Sequence, residues 1–172
     1  RFTAAPEGSI SAINEIGVED YLKSVISSEM SAEAPFELLR AHAITSRSWL
    51  VAMLHKQMQA RNIGIPTLRS QETESEIVRW YDREDHLLFN VCADDHCQRY
   101  QGISKIITEN ARKAIEDTRG LLLVHHDEVC DARFYKACGG LTENFENAWE
   151  NTAVPYLRSI SDAEKSYSGK ST

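Results

Sequence analysis

Four side chains that ligate metals in proteins lie within twelve positions of this chain: His86, Cys92, His96 and Cys97. Two imidazoles and two thiolates are the ligand set of a closed, tetrahedral zinc site. Because a fully ligated zinc ion has no open position for water, the pattern indicates a structural site whose binding energy contributes to folding. The alternative is that Cys92 and Cys97 are reduced, buried or disulfide-bonded, with His86 on the surface.

The other two cysteines, Cys130 and Cys138, are an even number of positions apart on one predicted strand. Along an extended strand they are too far apart to bond to each other. Cys138 could instead replace one ligand of the cluster.

Glu29 is a carboxylate on the apolar face of a predicted helix. Val18, Leu22, Val25 and Glu29 follow the spacing i, i+4, i+7, i+11, which at about 100° per residue places them on one stripe. Desolvation favours the neutral form of a carboxyl group in such a position. A carboxylic acid that keeps its proton near neutral pH is what glycosidic cleavage requires of its general acid. Alternatively, Glu29 ends the helix and points to water, or pairs with a buried arginine such as Arg47.

Three helices are predicted from apolar residues at helical spacing. Residues 18–30 form the first, and Pro35 suits the first turn of a second that runs to about Gln59, with Asn62, Ile63 and Gly64 beyond its end. Residues 103–118 form a third, followed by Gly120 where a C-terminal cap is expected.

Short strands complete the predicted fold. Residues 9–17 resemble a strand, and 121–125 and 129–136 form a hairpin with Asp127 and Glu128 in its turn. The sequence therefore predicts an α+β class, with amphipathic helices followed by a small antiparallel sheet, in a single domain with a substrate groove. We assign residues 1–165 to that domain, 60–80 to a surface insertion and 166–172 to a polar tail.

Composition excludes some classes of protein. The 172 residues carry a net charge of -7, and no basic stripe is present that could neutralise the phosphates of a nucleic acid. No apolar run approaches the roughly 20 residues that a membrane-spanning helix needs. No signal peptide is recognisable at Arg1, so the location has to be inferred from function.

Two helices together resemble the signature of the SpoIID/LytB family. That signature is Y-L-x-x-V-x-x-x-E-M, then Pro, then E-A-L-K-A-Q-A-x-A-A-R-T-Y; here residues 21–30 read YLKSVISSEM and residues 35–49 read PFELLRAHAITSRSW. His42 stands where the family usually has Gln.

Downstream segments continue the resemblance to about residue 162. Residues 96–102 (HCQRYQG) resemble H-C-Q-x-Y-x-G, and residues 114–123 resemble A-V-x-x-T-x-G-x-V-L. Residues 134–142 (FYKACGGLT) resemble Y-x-x-x-S-G-G-x-T, with Cys138 in place of the usual Ser. Trp149 and the tripeptide at 155–157 resemble the family's Trp and P-Y-L.

The resemblance implies a lytic transglycosylase that cleaves the bond between N-acetylmuramic acid and N-acetylglucosamine in peptidoglycan. Glu29 matches the family's catalytic Glu, which acts as acid and then as base and closes a 1,6-anhydro ring without consuming water. Ordinary glycosidases use two carboxylates, whereas this chain offers no second one at a motif position with comparable support.

The same resemblance implies the contacts and surroundings of the substrate. The residues expected to line the groove are Arg47, Gln98, Tyr100, Lys136 and Thr142, with Gly139 and Gly140 allowing close approach of a glycan strand. Trp149 either stacks on a sugar or is a core aromatic. Some SpoIID-like proteins carry zinc beside the groove, and His96 and Cys97 fall on the matching motif. The implied partners are glycan strands, denuded or peptide-bearing, and an amidase, in an extracytoplasmic location at the cell wall or in the periplasm.

Three other functions compete with this interpretation. A non-catalytic glycan-binding or scaffolding module with a structural zinc would keep the groove without needing an acidic Glu29. A zinc hydrolase would need an open metal position and a nearby base, which the four-residue ligand set disfavours. A redox protein would need a motif such as Cys-x-x-Cys, which is absent from the sequence.

Overall fold

The computed structural model describes residues 1–4, 8–63, 71–75, 77–78, 86, 88–102, 105, 108–149 and 151–162. The chain divides into two compact units. The first comprises Arg1–Pro66 and Arg83–Asp131, and the second comprises Thr67–Asp82 and Ala132–Thr172. The described residues form helices and short antiparallel strand pairs, which confirms the α+β class. The predicted tail at 166–172 lies outside them, and the single domain with a groove stays a prediction.

Helix α1 spans Val18–Glu29, close to the predicted 18–30. Gly17 precedes it in an extended conformation, and Glu19 and Asp20 lie in its first turn, where negative charge interacts favourably with the helix dipole. The helix ends because Met30 is extended, with ψ of 171°. Glu29 is therefore the last helical residue.

Helix α2 spans Phe36–Ile63 and starts directly after Pro35 as predicted. Its predicted end near Gln59 was wrong, since Asn62 and Ile63 are still helical, and Gly64 lies outside the described residues. Lys56, Gln57 and Gln59 have good helix propensity, so polarity alone did not end the helix.

Helix α3 spans Glu109–Asp117, six residues shorter at its start than predicted. Thr108 is extended, and its hydroxyl accepts a hydrogen bond from the Ala111 N–H at 3.1 Å, which is an N-terminal cap. Of the apolar residues predicted to precede it in the helix, Ile103, Ile106 and Ile107 lie outside the described residues.

The core of the first unit lies between α1, α2 and α3. Its buried apolar residues come from one face of each helix: Tyr21, Leu22, Val25, Ile26, Leu39, Ala43, Trp49, Leu50, Met53, Ala111, Ala114 and Ile115. Each fully buried Leu or Ile side chain contributes roughly 1.5–3 kcal/mol. This core fixes α1, and with it Glu29. Among the described helices, none has the length and apolar character needed to cross a bilayer.

The strand pairs of the first unit are shorter than predicted. β1 (Phe2–Ala4) pairs with β2 (Ile10–Ala12), so only three residues of the predicted 9–17 strand are in a sheet. Later in the chain, β5 (Val124–His125) pairs with β6 (Glu128–Val129). The hairpin turn is His126 and Asp127, with φ of 49° and 64°, which suits a two-residue type I′ turn. The predicted turn was therefore wrong by one residue. The predicted strand through Cys130 to Lys136 was also wrong.

The second unit contains β3 (Gln71–Glu72) paired with β4 (Ile77–Val78), inside the segment predicted as a surface insertion. It also contains the four-residue helix α4 (Phe145–Ala148), whose Phe145 is buried. Thr142 connects the chain before α4 to the chain after it. Its N–H donates to the Ile160 carbonyl at 2.9 Å, and its hydroxyl accepts from the Ile160 N–H at 2.7 Å.

Candidate functional site

The Glu29 carboxylate lies at the C-terminal end of α1. Leu22 and Val25, its neighbours on the predicted stripe, are fully buried, whereas Val18 at the start of the helix is 36% exposed. Glu29 itself is less buried than they are. Its Oε1 accepts a hydrogen bond from the backbone N–H of Arg99 at 2.5 Å. The carboxylate is thus partly desolvated and held by one defined donor.

Arg47 is buried and pairs with Glu19, so the alternative of a Glu29–Arg47 pair is wrong. The Arg47 side chain is 3% exposed, and its guanidinium donates to both carboxylate oxygens of Glu19, at 3.0 Å and 2.7 Å. It also donates to the Leu121 carbonyl at 3.3 Å. Arg47 therefore ties the start of α1 to α2 and to the chain after α3.

Gln98 and Tyr100 lie in the segment 98–101, whose backbone donates hydrogen bonds to side chains of α1. Gln98 is 1% exposed, and its amide donates to the Ser46 carbonyl at 3.3 Å. The Tyr100 ring stacks on Tyr21 with centroids 5.4 Å apart, and its hydroxyl accepts from Asn14 at 2.7 Å. Both residues thus join the segment to the helical core, and Tyr100 keeps part of its surface exposed.

The four predicted metal ligands come together in a cluster that could bind a metal ion. One ligand atom from each of His86, Cys92, His96 and Cys97 lies within 4.8 Å of the others. The Cys97 Sγ lies 3.4 Å from His86 Nε2 and 3.6 Å from His96 Nδ1, and the Cys92 Sγ lies 3.9 Å from His96 Nδ1. Around a tetrahedral zinc ion, sulfur and nitrogen ligands would be about 3.5 Å apart. The donor set and its spacing therefore fit zinc.

Packing around the cluster holds the ligands in place. The His86 ring stacks on Phe89 with centroids 4.5 Å apart, and the Cys92 N–H donates to the Cys97 Sγ at 3.5 Å. All four cysteines of the chain lie within the described residues and none is in a disulfide, so the disulfide alternative for Cys92 and Cys97 is wrong.

Tyr21 also belongs to this region, although its sequence pattern predicts only a core residue. It is 6% exposed and lies close enough to the cluster and to Glu29 to interact electrostatically with both. Burial, with the nearby thiols of Cys97 and Cys92 and the Glu29 carboxylate, raises its pKa. In the sequence, Tyr21 is marked only by its helical spacing from Leu22 and Val25. That spacing predicts that Tyr21 is buried, but not that it lies near the thiols.

A cavity of about 540 Å³ opens in the first unit beside Tyr21 and Tyr100. Its walls include Tyr21, Tyr100, Leu50, Leu54 and Phe89. Glu29 is not among the lining residues, so the cavity does not identify the predicted substrate groove.

The remaining predicted substrate contacts belong to the second unit. Lys136 is exposed, and Gly139 and Gly140 have φ of 69° and 93°, which explains why glycine is needed at both positions. Thr142 forms the backbone bonds described above. Trp149 is 50% exposed, and the Arg133 guanidinium lies 4.2 Å from its ring centroid; its alternative as a core aromatic is therefore wrong.

Comparison with known proteins gives consistent matches. The family model SpoIID, described as stage II sporulation protein, matches residues 6–125. The chain is 27% identical over 149 residues to a stage II sporulation protein D of Bacillus amyloliquefaciens, covering 87% of this chain and 39% of that protein. It is 26% identical over 150 residues to the protein of the same name from Bacillus subtilis, with the same two shares. It is 30% identical over 148 residues to an uncharacterized protein of Brachyspira hyodysenteriae, covering 86% of this chain and 33% of that protein. The chain thus spans 33% to 39% of the length of these relatives.

Proposed function

The chain belongs to the SpoIID family, and on that premise we propose that it is a peptidoglycan lytic transglycosylase with Glu29 as its general acid and base. The observation that carries the proposal is the position of Glu29. It ends α1, its neighbours on the helix are buried, and its carboxylate is fixed by a backbone N–H while remaining partly accessible. A carboxyl group in that setting can exchange a proton with a bound sugar.

The proposed reaction uses the same carboxyl group twice. Protonated Glu29 donates its proton to the oxygen between N-acetylmuramic acid and N-acetylglucosamine as the bond from that oxygen to C1 breaks. The resulting carboxylate then takes the proton of the C6 hydroxyl of N-acetylmuramic acid. The C6 oxygen attacks C1 of the same sugar and closes the 1,6-anhydro ring. Glu29 is protonated again at the end of the cycle. The reaction therefore consumes no water and needs no second carboxylate.

Arg47 and Gln98 serve this proposal as supports rather than as substrate contacts. Both are buried, and their donors are occupied by Glu19 and by backbone carbonyls. The other predicted contacts retain exposed surface and remain the proposed contacts with the glycan: Tyr100, Lys136, Gly139, Gly140, Thr142 and Trp149.

Zinc is proposed as a structural ion held by His86, Cys92, His96 and Cys97. When bound, it would fix the loop and supply folding energy, since four protein ligands fill its coordination. The chain's own residues carry the proton transfers.

The proposed substrate is the glycan strand of the cell wall, in an extracytoplasmic location. An amidase that removes stem peptides is the proposed partner if denuded strands are cleaved.

The test is the chemistry of the products. Sacculi, with and without prior amidase treatment, are incubated with the zinc-loaded protein, and the new chain ends are identified by mass spectrometry. Ends in 1,6-anhydro-N-acetylmuramic acid are expected. Reducing ends would show hydrolysis and overturn the mechanism, and binding without cleavage on either substrate would favour the glycan-binding module.

A further inference from the structure

Residues 97–101, here called the strap, connect the Cys/His cluster to α1. The strap starts at the ligand Cys97. Two residues later the Arg99 N–H donates to Glu29 Oε1 at 2.5 Å, and the Gln101 N–H donates to Ser24 Oγ at 3.0 Å. It therefore contacts α1 at two points that lie more than one helical turn apart.

The other side of the strap is bound to the cluster loop. The Cys97 N–H donates to the Asp94 carbonyl and the Tyr100 N–H donates to the Ala93 carbonyl, both at 3.0 Å. The Arg99 side chain pairs with Asp95 at 2.8 Å and 2.7 Å. The loop that carries three of the four ligands thus sets the position of the Arg99 amide.

We infer that the Cys/His cluster and Glu29 are coupled through the strap, with Arg99 as a positioning residue that acts through its backbone amide. Because that amide occupies Oε1, the second oxygen, Oε2, is the one that carries the proton in the acid step. Only this assignment of the proton rests on the proposed catalysis; the coupling rests on these contacts and on metal binding by the cluster.

Coupling between two sites is reciprocal. If metal binding orders the strap and so holds Glu29, then removing the hydrogen bond to Glu29 weakens metal binding. A hydrogen bond to a charged group, lost from the outer shell of a metal site, corresponds to roughly a tenfold loss of affinity. A neutral acceptor in the same place forms a bond about half as strong, which leaves roughly a threefold loss.

Zinc affinity, measured by competition with a chromophoric chelator, tests the coupling. Glu29→Ala removes charge and acceptor, and Glu29→Gln removes the charge but keeps an acceptor. The control Glu33→Ala removes an exposed carboxylate four residues further along. We expect about a tenfold loss for Glu29→Ala, about threefold for Glu29→Gln and no change for Glu33→Ala.

Equal losses for the two Glu29 variants would show simple charge attraction and overturn the inference, as would equal losses for Glu29→Ala and Glu33→Ala. Failure of the parent to bind zinc would overturn it too. Hydrogen exchange of the Arg99 amide gives a second readout: exchange should be slow in the zinc-loaded parent and faster after chelation or in Glu29→Ala. Both measurements are independent of glycan cleavage, so failure of the proposed activity would leave their result interpretable.

Discussion

His42 gives the chain a predictable sensitivity to acid. It lies in α2 and is 3% exposed, and burial lowers its pKa from 6.5 to about 4. The folded protein therefore keeps His42 neutral at pH values where the unfolded chain binds a proton. Because the unfolded state then holds more protons, stability falls as the pH drops below 6.5 towards 4.

The size of this effect follows from the two pKa values of His42. Each pKa unit corresponds to about 1.4 kcal/mol, so His42 costs about 2 kcal/mol of unfolding free energy between pH 7 and pH 5, and about 3 kcal/mol by pH 4.

Urea unfolding at pH 7 and pH 5 measures this loss of unfolding free energy. It is compared between the parent and His42→Gln, which introduces the residue usual in SpoIID/LytB proteins. Other groups titrate equally in both proteins, so their difference isolates His42. His55→Gln, an exposed histidine of the same helix, is the control. If the parent and His42→Gln lose the same stability between the two pH values, the assignment of a buried neutral histidine is refuted.

Three further outcomes are expected. Chelation should lower the thermal midpoint of the zinc-loaded protein by about 10 °C, and Cys97→Ser should lower it and abolish the response to chelator; an unchanged parent midpoint would contradict zinc binding. Arg47→Met should cost about 2 kcal/mol in urea unfolding, below the usual range for a buried pair because the Glu19 side chain is 20% exposed, whereas Arg158→Met, in a surface pair, should cost under about 1 kcal/mol. Thr108→Ala should cost about 1 kcal/mol through loss of the cap of α3, and unchanged unfolding would argue against that cap.

The helices were predictable because their signals are local. The apolar stripe of α1 and Pro35 before α2 act within one or two turns, and both elements lie where these signals placed them. Errors arose where a boundary depended on a contact. The start of α3 depends on the Thr108 hydroxyl, which caps the helix and also donates to the Ala32 carbonyl at 2.9 Å.

Parts of the candidate site were predictable to different degrees. The Cys/His cluster could be found because ligand types and spacing define it without knowledge of the fold. The Arg99–Glu29 bond could not, because any residue other than proline offers the same N–H, and the two residues are 70 positions apart. Arg47 and Gln98 were placed in the groove by motif, whereas their burial follows from tertiary packing against Glu19 and Ser46.

Whether Glu29 is the acid and base can be measured from the rate at which anhydro ends form on sacculi. The comparison is between the zinc-loaded parent, Glu29→Gln and the control Glu33→Gln, each shown to be folded and loaded. We expect a loss of about 10²–10⁴-fold for Glu29→Gln, the range typical of removing a general acid–base group, and an unchanged rate for Glu33→Gln. A Glu29→Gln variant that forms anhydro ends at the parent's rate would contradict this role of Glu29.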